Sequence, residues 1–126
     1  MQKVVLADDE EFVRYFLKTV MHSLSFNVVA EVERGDEVYS VMKNTKPDIL
    51  FLDINMPNLT GIDFLKRYSK EFSHTCIIIL TSANTFQVVE EVSAEGANGF
   101  IRKDTPVEQM MLSIEKTWSK FQEGNR

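Results

Sequence analysis

Four short apolar runs in this chain each lead into a polar, reactive side chain, and this pattern limits the folds that are open to it. The runs and the residues that follow them are Val4–Ala7 before Asp8 and Asp9, Ile49–Leu52 before Asp53, Ile77–Leu80 before Thr81 and Ser82, and Gly99–Ile101, separated by one residue from Lys103. Short runs that are apolar throughout are typical of strands covered on both faces, as in a parallel sheet. Ligands bind such sheets at the carboxyl ends of the strands. We therefore expect these side chains to share one crevice, with Asp53 as its reactive centre.

Between these runs the spacing of apolar residues changes from that of a strand to that of a helix. A further short strand is predicted at Val28–Ala30, which gives five strands, each followed by an amphipathic helix. The predicted inner faces of the helices are Phe12, Tyr15, Phe16, Val20 and Leu24; Val38, Val41 and Met42; Ile62, Phe64, Leu65, Tyr68 and Phe72; Val88, Val89 and Val92; and Val107, Met110, Met111, Ile114, Trp118 and Phe121. The chain is therefore predicted to be an α/β domain of five βα units, doubly wound because right-handed crossovers can place helices on both faces of the sheet.

Two helix starts are marked by capping residues. Thr60 with Asp63 three residues later resembles a capping box. Thr105 and Pro106 precede Glu108 in the same way, with the proline predicted at the first helical position.

Size and composition favour one soluble domain over residues 1–126. Hydrophobic and charged contents of 44% and 26% are ordinary for a globular protein of this length. The net charge is −5 and no block of Lys or Arg occurs, so direct nucleic-acid binding by this chain is not expected. Cys76 is the only cysteine, which excludes an internal disulfide and is compatible with a reducing cytoplasm. No apolar stretch approaches the roughly 20 residues that span a bilayer, and no membrane segment is expected.

The polar residues at the strand ends suit phosphoryl chemistry. Asp8, Asp9 and Asp53 offer the hard oxygen ligands that Mg²⁺ prefers, and three crowded carboxylates would gain from a cation that relieves their repulsion. Lys103 and Thr81 supply an ammonium and a hydroxyl for phosphoryl oxygens. With these groups in place, one carboxylate is able to act as a nucleophile and form an aspartyl phosphate.

These residues resemble the receiver domains of bacterial two-component response regulators. The elements that carry the resemblance span essentially the whole chain: Asp8-Asp9, Asp53, Asn55-Met56-Pro57 with Gly61 after it, Thr81-Ser82-Ala83, and Phe100-Ile101-Arg102-Lys103. Each element alone is weakly specific, whereas the full set in this order and at these spacings is highly specific. The resemblance implies a flavodoxin-like receiver fold, with a five-stranded parallel sheet in the order 2-1-3-4-5 and five helices.

The resemblance also implies how the acceptor and the metal are held. Asp53 would accept a phosphoryl group from the phosphohistidine of a sensor histidine kinase or a phosphotransfer protein. Mg²⁺ would be the cofactor, with Asp9 and Asp53 as carboxylate ligands, Asp8 acting partly through water, and Asn55 contributing its backbone carbonyl.

A switch and its output are implied in the same way. Thr81 and Lys103 would grip the phosphoryl oxygens, and Phe100 matches the aromatic residue whose rotamer reports phosphorylation to the outer face. Thr81 would move toward the phosphate, Phe100 would fill the vacated space, and the fourth helix would shift. The expected result is control of a partner or an output domain, with a DNA-binding transcriptional domain and a phosphorylation-dependent dimer among the outcomes.

Turnover is not expected of this domain beyond intrinsic hydrolysis of its own acyl phosphate. Asn55 and Ala83 lie where the family tunes that hydrolysis. An alternative is a small Mg²⁺-dependent phosphohydrolase with Asp53 as nucleophile, but such enzymes commonly carry a second acid two residues on, where this chain has Asn55. A flavin-binding electron carrier of similar fold is another alternative, and the acidic residues 8–11 would repel the flavin phosphate after the first strand.

Two positions depart from the pattern that many receivers share. Asp104 follows Lys103 where many receivers have proline, so a cis peptide bond is not assumed there. Phe100 stands where many have tyrosine. The sequence from Lys103 to Pro106 is more typical of receivers that precede a helix-turn-helix domain, and neither departure changes the acceptor chemistry.

Ordinary structural roles compete with each assignment. Asp8 and Asp9 are also suited to capping the first helix, where carboxylates complement the helix dipole. Thr81 is suited to capping the fourth helix, Lys103 to a solvated loop and Phe100 to the core. Only their combination at neighbouring strand ends favours a site.

Overall fold

A computed structural model describes residues 1–82 and 86–124 of the chain, in which strands and helices alternate. The elements are β1 Lys3–Ala7, α1 Glu11–Ser23, β2 Asn27–Val32, α2 Gly35–Thr45, β3 Ile49–Asp53, α3 Gly61–Tyr68, β4 Cys76–Thr81, α4 Phe86–Ala94, β5 Gly99–Arg102 and α5 Val107–Gly124. None of the helices in these ranges combines the length and the apolar character needed to cross a membrane. Ala83, one of the two residues predicted to tune hydrolysis, lies outside the described residues.

All five strands are parallel and lie in the order β2-β1-β3-β4-β5. This confirms the predicted doubly wound sheet and its order. The central strands are apolar along their length because helices cover both of their faces, and β3 and β4 are buried at every position. β2 lies at an edge and alternates between exposed and partly buried residues over most of its length. The carboxyl ends of β1, β3, β4 and β5 therefore meet along one edge, as the apolar runs predict.

Two separate apolar cores lie on the two faces of the sheet. Successive residues of a strand point to opposite faces, so Phe51 of β3 enters one core and Leu52 enters the other. The first core is covered by α1 and α5, and the second by α2, α3 and α4. Burial of one such Leu or Phe side chain contributes roughly 1.5–3 kcal/mol. The sheet edge that carries the polar residues is thus held from both faces.

The predicted inner face of α1 is partly wrong. Phe12 and Tyr15 are 79% and 68% exposed. Val20 is buried as predicted, and Leu17 and Met21, which the prediction omitted, are buried with it. The stripe that packs on the sheet follows the helical period from Val13 through these residues to Leu24, and the two aromatic side chains lie beside it, toward solvent.

The other helices agree more closely with the prediction. In α5 Met110 and Ile114 are buried, whereas Val107 at the first turn is 43% exposed and does not belong to the inner face. α5 begins at Val107, directly after Pro106, whose carbonyl accepts a hydrogen bond from the Met110 N–H at 2.9 Å. The cap of α3 is confirmed, because Thr60 Oγ1 accepts from the Asp63 N–H at 3.1 Å.

Candidate functional site

Lys103 joins two buried carboxylates at the carboxyl edge of the sheet. Asp53 is the last residue of β3, and Asp8 directly follows β1; both are almost completely buried. The Nζ atom of Lys103 lies 2.8 Å from Asp8 Oδ2 and 3.1 Å from Asp53 Oδ2. The structure thus brings together three of the predicted site residues, which come from three different strand ends.

The Asp53 carboxylate is fixed by the chain around it. Its Oδ1 atom accepts a hydrogen bond from the Asn55 N–H at 3.1 Å, while the Asn55 side chain is exposed. Gly61, the first residue of α3, packs directly against this strand end. A Cβ atom at Gly61 would lie only 2.6 Å from the main-chain oxygen of Asp53, so a larger residue there would displace the strand end.

Burial and mutual repulsion set the electrostatics of the two acids. Burial raises the pKa of Asp53, and the charge of Asp8 raises it further, against the opposing effects of the Asn55 N–H and Lys103. Burial also raises the pKa of Asp8, and the Lys103 ammonium opposes that shift. Burial disfavours the charge of Lys103, but its contacts with Asp8, Glu10 and Asp53 outweigh this and raise its pKa above the ordinary value. The folded chain therefore holds two mutually repelling carboxylates around one protonated lysine.

One oxygen of this pair lacks a hydrogen-bond donor. The contact between Asp8 Oδ2 and Lys103 is an ion pair in distance, but its angles fall outside those of a hydrogen bond. Among the described residues Asp8 Oδ2 has no other donor, although it is fully buried. Lys103 compensates the charge of this buried oxygen, and a cation that seeks oxygen ligands would add to that compensation.

Three consecutive acids, one buried and two exposed, extend the site toward the surface. Ligand oxygens of Asp8, Asp9 and Glu10 all lie within 4.8 Å of one another, with Asp9 and Glu10 exposed. Asp53 joins this group through the shared lysine. Hard carboxylate oxygens at this spacing fit a divalent cation such as Mg²⁺.

Glu10 is the member of this group that the sequence did not single out. Its Oε1 atom lies 3.0 Å from the Nζ atom of Lys103. The available signal was its place in the acidic run directly after Asp8 and Asp9. Only Asp8 and Asp9 were singled out from that run, because no local pattern in the sequence shows which acid contacts a lysine that is distant in the chain.

Thr81 and Phe100 occupy neighbouring strands on the α2–α4 side of the sheet. Thr81 ends β4 and is buried, and its carbonyl accepts from the Lys103 N–H at 2.8 Å. Phe100 pairs with Ile79 in the β4–β5 register and packs, half-buried, against the core under α2, α3 and α4. Because Ile79 belongs to the same core, alternation along β4 directs Thr81 to the face that Phe100 occupies. No cis peptide bond occurs in the part of the chain that the structure describes, so the bond after Lys103 is trans.

Comparison with known families identifies the arrangement. A family model described as the response regulator receiver domain matches residues 4–115. The nitrate/nitrite response regulator protein homolog of Haemophilus influenzae is 35% identical over 115 residues, which cover 90% of this chain and 55% of that protein. The chemotaxis protein CheY of Listeria monocytogenes is 30% identical over 116 residues, which cover 92% of this chain and 98% of that protein. The chain spans about half the length of most of the curated relatives that it matches, including several transcriptional regulators.

A solved structure agrees with these sequence relatives. A chain of the CheX-CheY-BeF3-Mg²⁺ complex from Borrelia burgdorferi superposes with a TM-score of 0.87 at 25% identity. The superposition covers 93% of this chain and 89% of that one. The fold is therefore shared with a protein whose complex contains BeF3 and Mg²⁺.

Proposed function

The chain belongs to the response regulator receiver domain family, and on that premise we propose that it is a phosphoacceptor of two-component signal transduction, with Asp53 as the accepting residue. The observation that carries this proposal is the shared contact of Lys103 with the buried carboxylates of Asp8 and Asp53. A lysine held 3.1 Å from one nucleophilic carboxylate oxygen lies where an added phosphoryl group would place its oxygens.

The proposed reaction is a transfer of one phosphoryl group. An oxygen of the Asp53 carboxylate attacks the phosphorus of a phosphohistidine on a sensor kinase or a phosphotransfer protein. A P–O bond forms as the P–N bond breaks, and the imidazole nitrogen keeps the electron pair of the broken bond. Lys103 then pairs with a phosphoryl oxygen, and Thr81 donates its hydroxyl to another.

Asp53 and the residues beside it at this edge of the sheet would also hold Mg²⁺. Asp8, Asp9 and Asp53 would contribute carboxylate oxygens and Asn55 its main-chain carbonyl, and the donor-free Asp8 Oδ2 supports this assignment. The presence of Mg²⁺ in the Borrelia burgdorferi complex supports it as well. Bound Mg²⁺ supplies positive charge beside the phosphoryl oxygens.

We propose that the added charge, about −1.5 to −2, is read by Thr81 and Phe100. Movement of Thr81 toward the phosphoryl group would free space on the face that Phe100 shares, and α4 would shift with the new Phe100 rotamer. The supporting observation is that both residues lie on adjacent strands and the same face. The output would be a partner protein or an attached domain, such as a DNA-binding domain. Phosphorylation would also be able to act by forming a dimer. The proposed site of action is the cytoplasm.

A signalling role is favoured over turnover of substrates. The position two residues after Asp53 holds Asn55, whose side chain cannot act as the general acid of a phosphohydrolase. Its main-chain N–H instead holds the Asp53 carboxylate. We therefore expect the chain to accept a phosphoryl group as a signal and to release it by hydrolysis of its own acyl phosphate.

The test is phosphorylation of the protein by a small donor. Wild type incubated with acetyl phosphate and Mg²⁺ should gain one phosphoryl group in intact-mass spectra, and Asp53→Asn should gain none. Asp63→Asn, which changes an exposed acid at the start of α3, serves as the matched control and should be modified like wild type. An unmodified wild type, or equal modification of Asp53→Asn, would overturn the proposal.

A further inference from the structure

We propose that Arg14 is a positioning residue for the acid pair: it fixes the turn after β1 through the main-chain carbonyl of Asp8. The proposal rests on the function proposed above. The observation that supports it directly is a hydrogen bond of 2.7 Å from Arg14 Nη1 to the Asp8 carbonyl oxygen. Arg14 is 6% exposed, which is unusual for an arginine in an amphipathic surface helix.

The position of Arg14 explains how it reaches Asp8. The Arg14 N–H donates to the Glu10 carbonyl at 3.2 Å, in the first turn of α1. Side chains of a helix lean toward its amino terminus, so the guanidinium returns to the junction between β1 and α1. It takes a place in the inner stripe of α1 that an apolar residue would otherwise occupy.

The other guanidinium nitrogens are held by acids near the end of the edge strand. Arg14 Nε donates to Glu31 at 3.1 Å, and Nη2 lies 3.4 Å from Glu33. Glu31 is held in turn by Lys18 at 2.9 Å. A planar guanidinium with donors in a fixed fork is able to satisfy these groups and the Asp8 carbonyl together.

This arrangement restrains Asp8 at every polar group except one. Its N–H donates to the Val32 carbonyl at 3.0 Å, its carbonyl accepts from Arg14, and its Oδ1 accepts from the Glu10 N–H at 2.8 Å. The remaining oxygen, Oδ2, faces Lys103. Arg14 and β2 thus hold the main chain of Asp8 from two sides, and the restraint directs Oδ2 into the site and sets the position of Asp9 after it.

The mechanism is geometric more than electrostatic. The charge of Arg14 is already paired with Glu31 and Glu33. Its long-range field at Asp53 is therefore largely cancelled. The local hydrogen bond remains, and it determines where the Asp8 and Asp9 carboxylates lie.

The experiment compares three variants of the whole chain. Arg14→Ala removes the contact with Asp8. Arg14→Lys keeps the charge but has one donor group for three acceptors. Lys18→Ala is the matched control: it is on the same helix and pairs with the same Glu31, but it is exposed and its loss leaves the Arg14–Asp8 bond in place. Mg²⁺ affinity is measured from amide chemical shifts, without any phosphodonor, at a temperature where urea curves show each variant to be folded.

Loss of a supporting hydrogen bond around a metal ligand typically weakens affinity 10- to 100-fold. We expect Mg²⁺ affinity to fall about tenfold or more in Arg14→Ala and by a smaller factor in Arg14→Lys, with Lys18→Ala within about twofold of wild type. Folded Arg14→Ala with wild-type affinity would overturn the proposal. If Arg14→Ala does not fold, wild-type affinity in Arg14→Lys overturns it instead. Failure of wild type to bind Mg²⁺ or accept a phosphoryl group refutes the proposed function, whereas success of wild type with unchanged variants refutes only the role of Arg14.

Discussion

Lys103 and Asp53 are 50 residues apart in the chain, yet Nζ of the lysine lies 3.1 Å from Oδ2 of the aspartate. The parallel sheet brings them together, because β3 and β5 end at the same edge on either side of β4. The contact does not remove the cost of burying the acid, since the pKa of Asp53 stays above its ordinary value. The site is thus built at some expense in stability, which has measurable consequences.

Asp53→Asn should stabilise the protein. The substitution removes a buried negative charge that burial and Asp8 both disfavour, while Lys103 keeps Asp8 and Glu10 as partners. We expect the free energy of unfolding in urea to rise by about 1 kcal/mol, a usual size for one stabilising change. Asp63→Asn, at an exposed helix start, should not stabilise. A less stable Asp53→Asn protein would contradict this account of the site.

The stability difference between wild type and Asp53→Asn should depend on pH. A carboxyl whose pKa is raised on folding stabilises the fold in its protonated form, below the unfolded value of about 3.9. That contribution is lost as the pH rises through the folded pKa. The advantage of Asp53→Asn should therefore be smallest near pH 4 or below and full at pH 7, as urea curves at several pH values would show. A difference that shrinks as the pH rises has the opposite sign and would refute the assignment.

Mg²⁺ should stabilise the wild type, because a bound cation relieves the repulsion among the acids. A ligand at ten times its Kd raises the free energy of unfolding by about 1.4 kcal/mol. Asp8→Asn removes the negative charge and one carboxylate oxygen at this position and should lose most of this gain. NaCl at matched ionic strength is the control for screening. An equal gain with NaCl, or in Asp8→Asn, would argue against a specific cation site.

Tryptophan fluorescence is a poor readout for Mg²⁺ binding, because the single tryptophan lies far from the site. Trp118 packs edge-on against Phe26, with ring centroids 6.2 Å apart, and Phe26 precedes β2 at the opposite edge of the sheet. Amide shifts of residues 8–10 and 53–55 report the site directly. Thermal or urea unfolding reports the linkage.

The sheet and its polar edge were accessible from the sequence for a clear reason. Runs such as Ile49–Leu52 are apolar at every position, which identifies a buried strand from the local sequence alone. The polar residue that follows each run then marks the carboxyl end of the strand. The order of the strands and the roles of the site residues came instead from the resemblance to receivers. The structure bears out the order and places Asp8, Asp53 and Lys103 together.

The features that the sequence missed depend on direction around a helix or on distant contacts. Phe12 and Tyr15 fit the spacing of an apolar helical face, but they are exposed, and Leu17 and Met21 are the residues of this helix that are buried against the sheet. In the sequence Arg14 resembles a polar surface residue, and only the structure shows its contacts with Glu31 and the Asp8 carbonyl. Such contacts join separate elements, and no local periodicity encodes them.

Cys76 should be inert in the folded protein. It is fully buried at the start of β4, and burial raises the pKa of its thiol to about 12. The thiolate is the reactive form, so modification by a thiol reagent at pH 8 should be far slower than in the urea-unfolded chain. Modification of the native protein at the unfolded rate would show that β4 opens readily.

Gly35→Ala should destabilise the fold through a contact between the start of α2 and the segment that joins β3 to α3. Gly35 begins α2, and its N–H donates to the Pro57 carbonyl at 2.9 Å in the segment between β3 and α3. A Cβ atom there would lie 1.7 Å from the Leu59 carbonyl oxygen, so the main chain must move. Overpacking of this kind costs about 1–3 kcal/mol, and the urea midpoint should fall accordingly.

Gly124→Ala supplies the matched control, because a Cβ atom at that position meets nothing within 4 Å. It lies at the end of α5, where alanine favours the helix, so its urea midpoint should stay the same or rise slightly. The two substitutions are chemically identical and differ only in what the new methyl group contacts. Because the segment that Gly35 contacts also carries Asn55, Gly35→Ala should in addition shift the Asn55 amide resonance. Equal stability of the two variants would mean that the contact between Gly35 and the β3–α3 segment does not hold that segment in place.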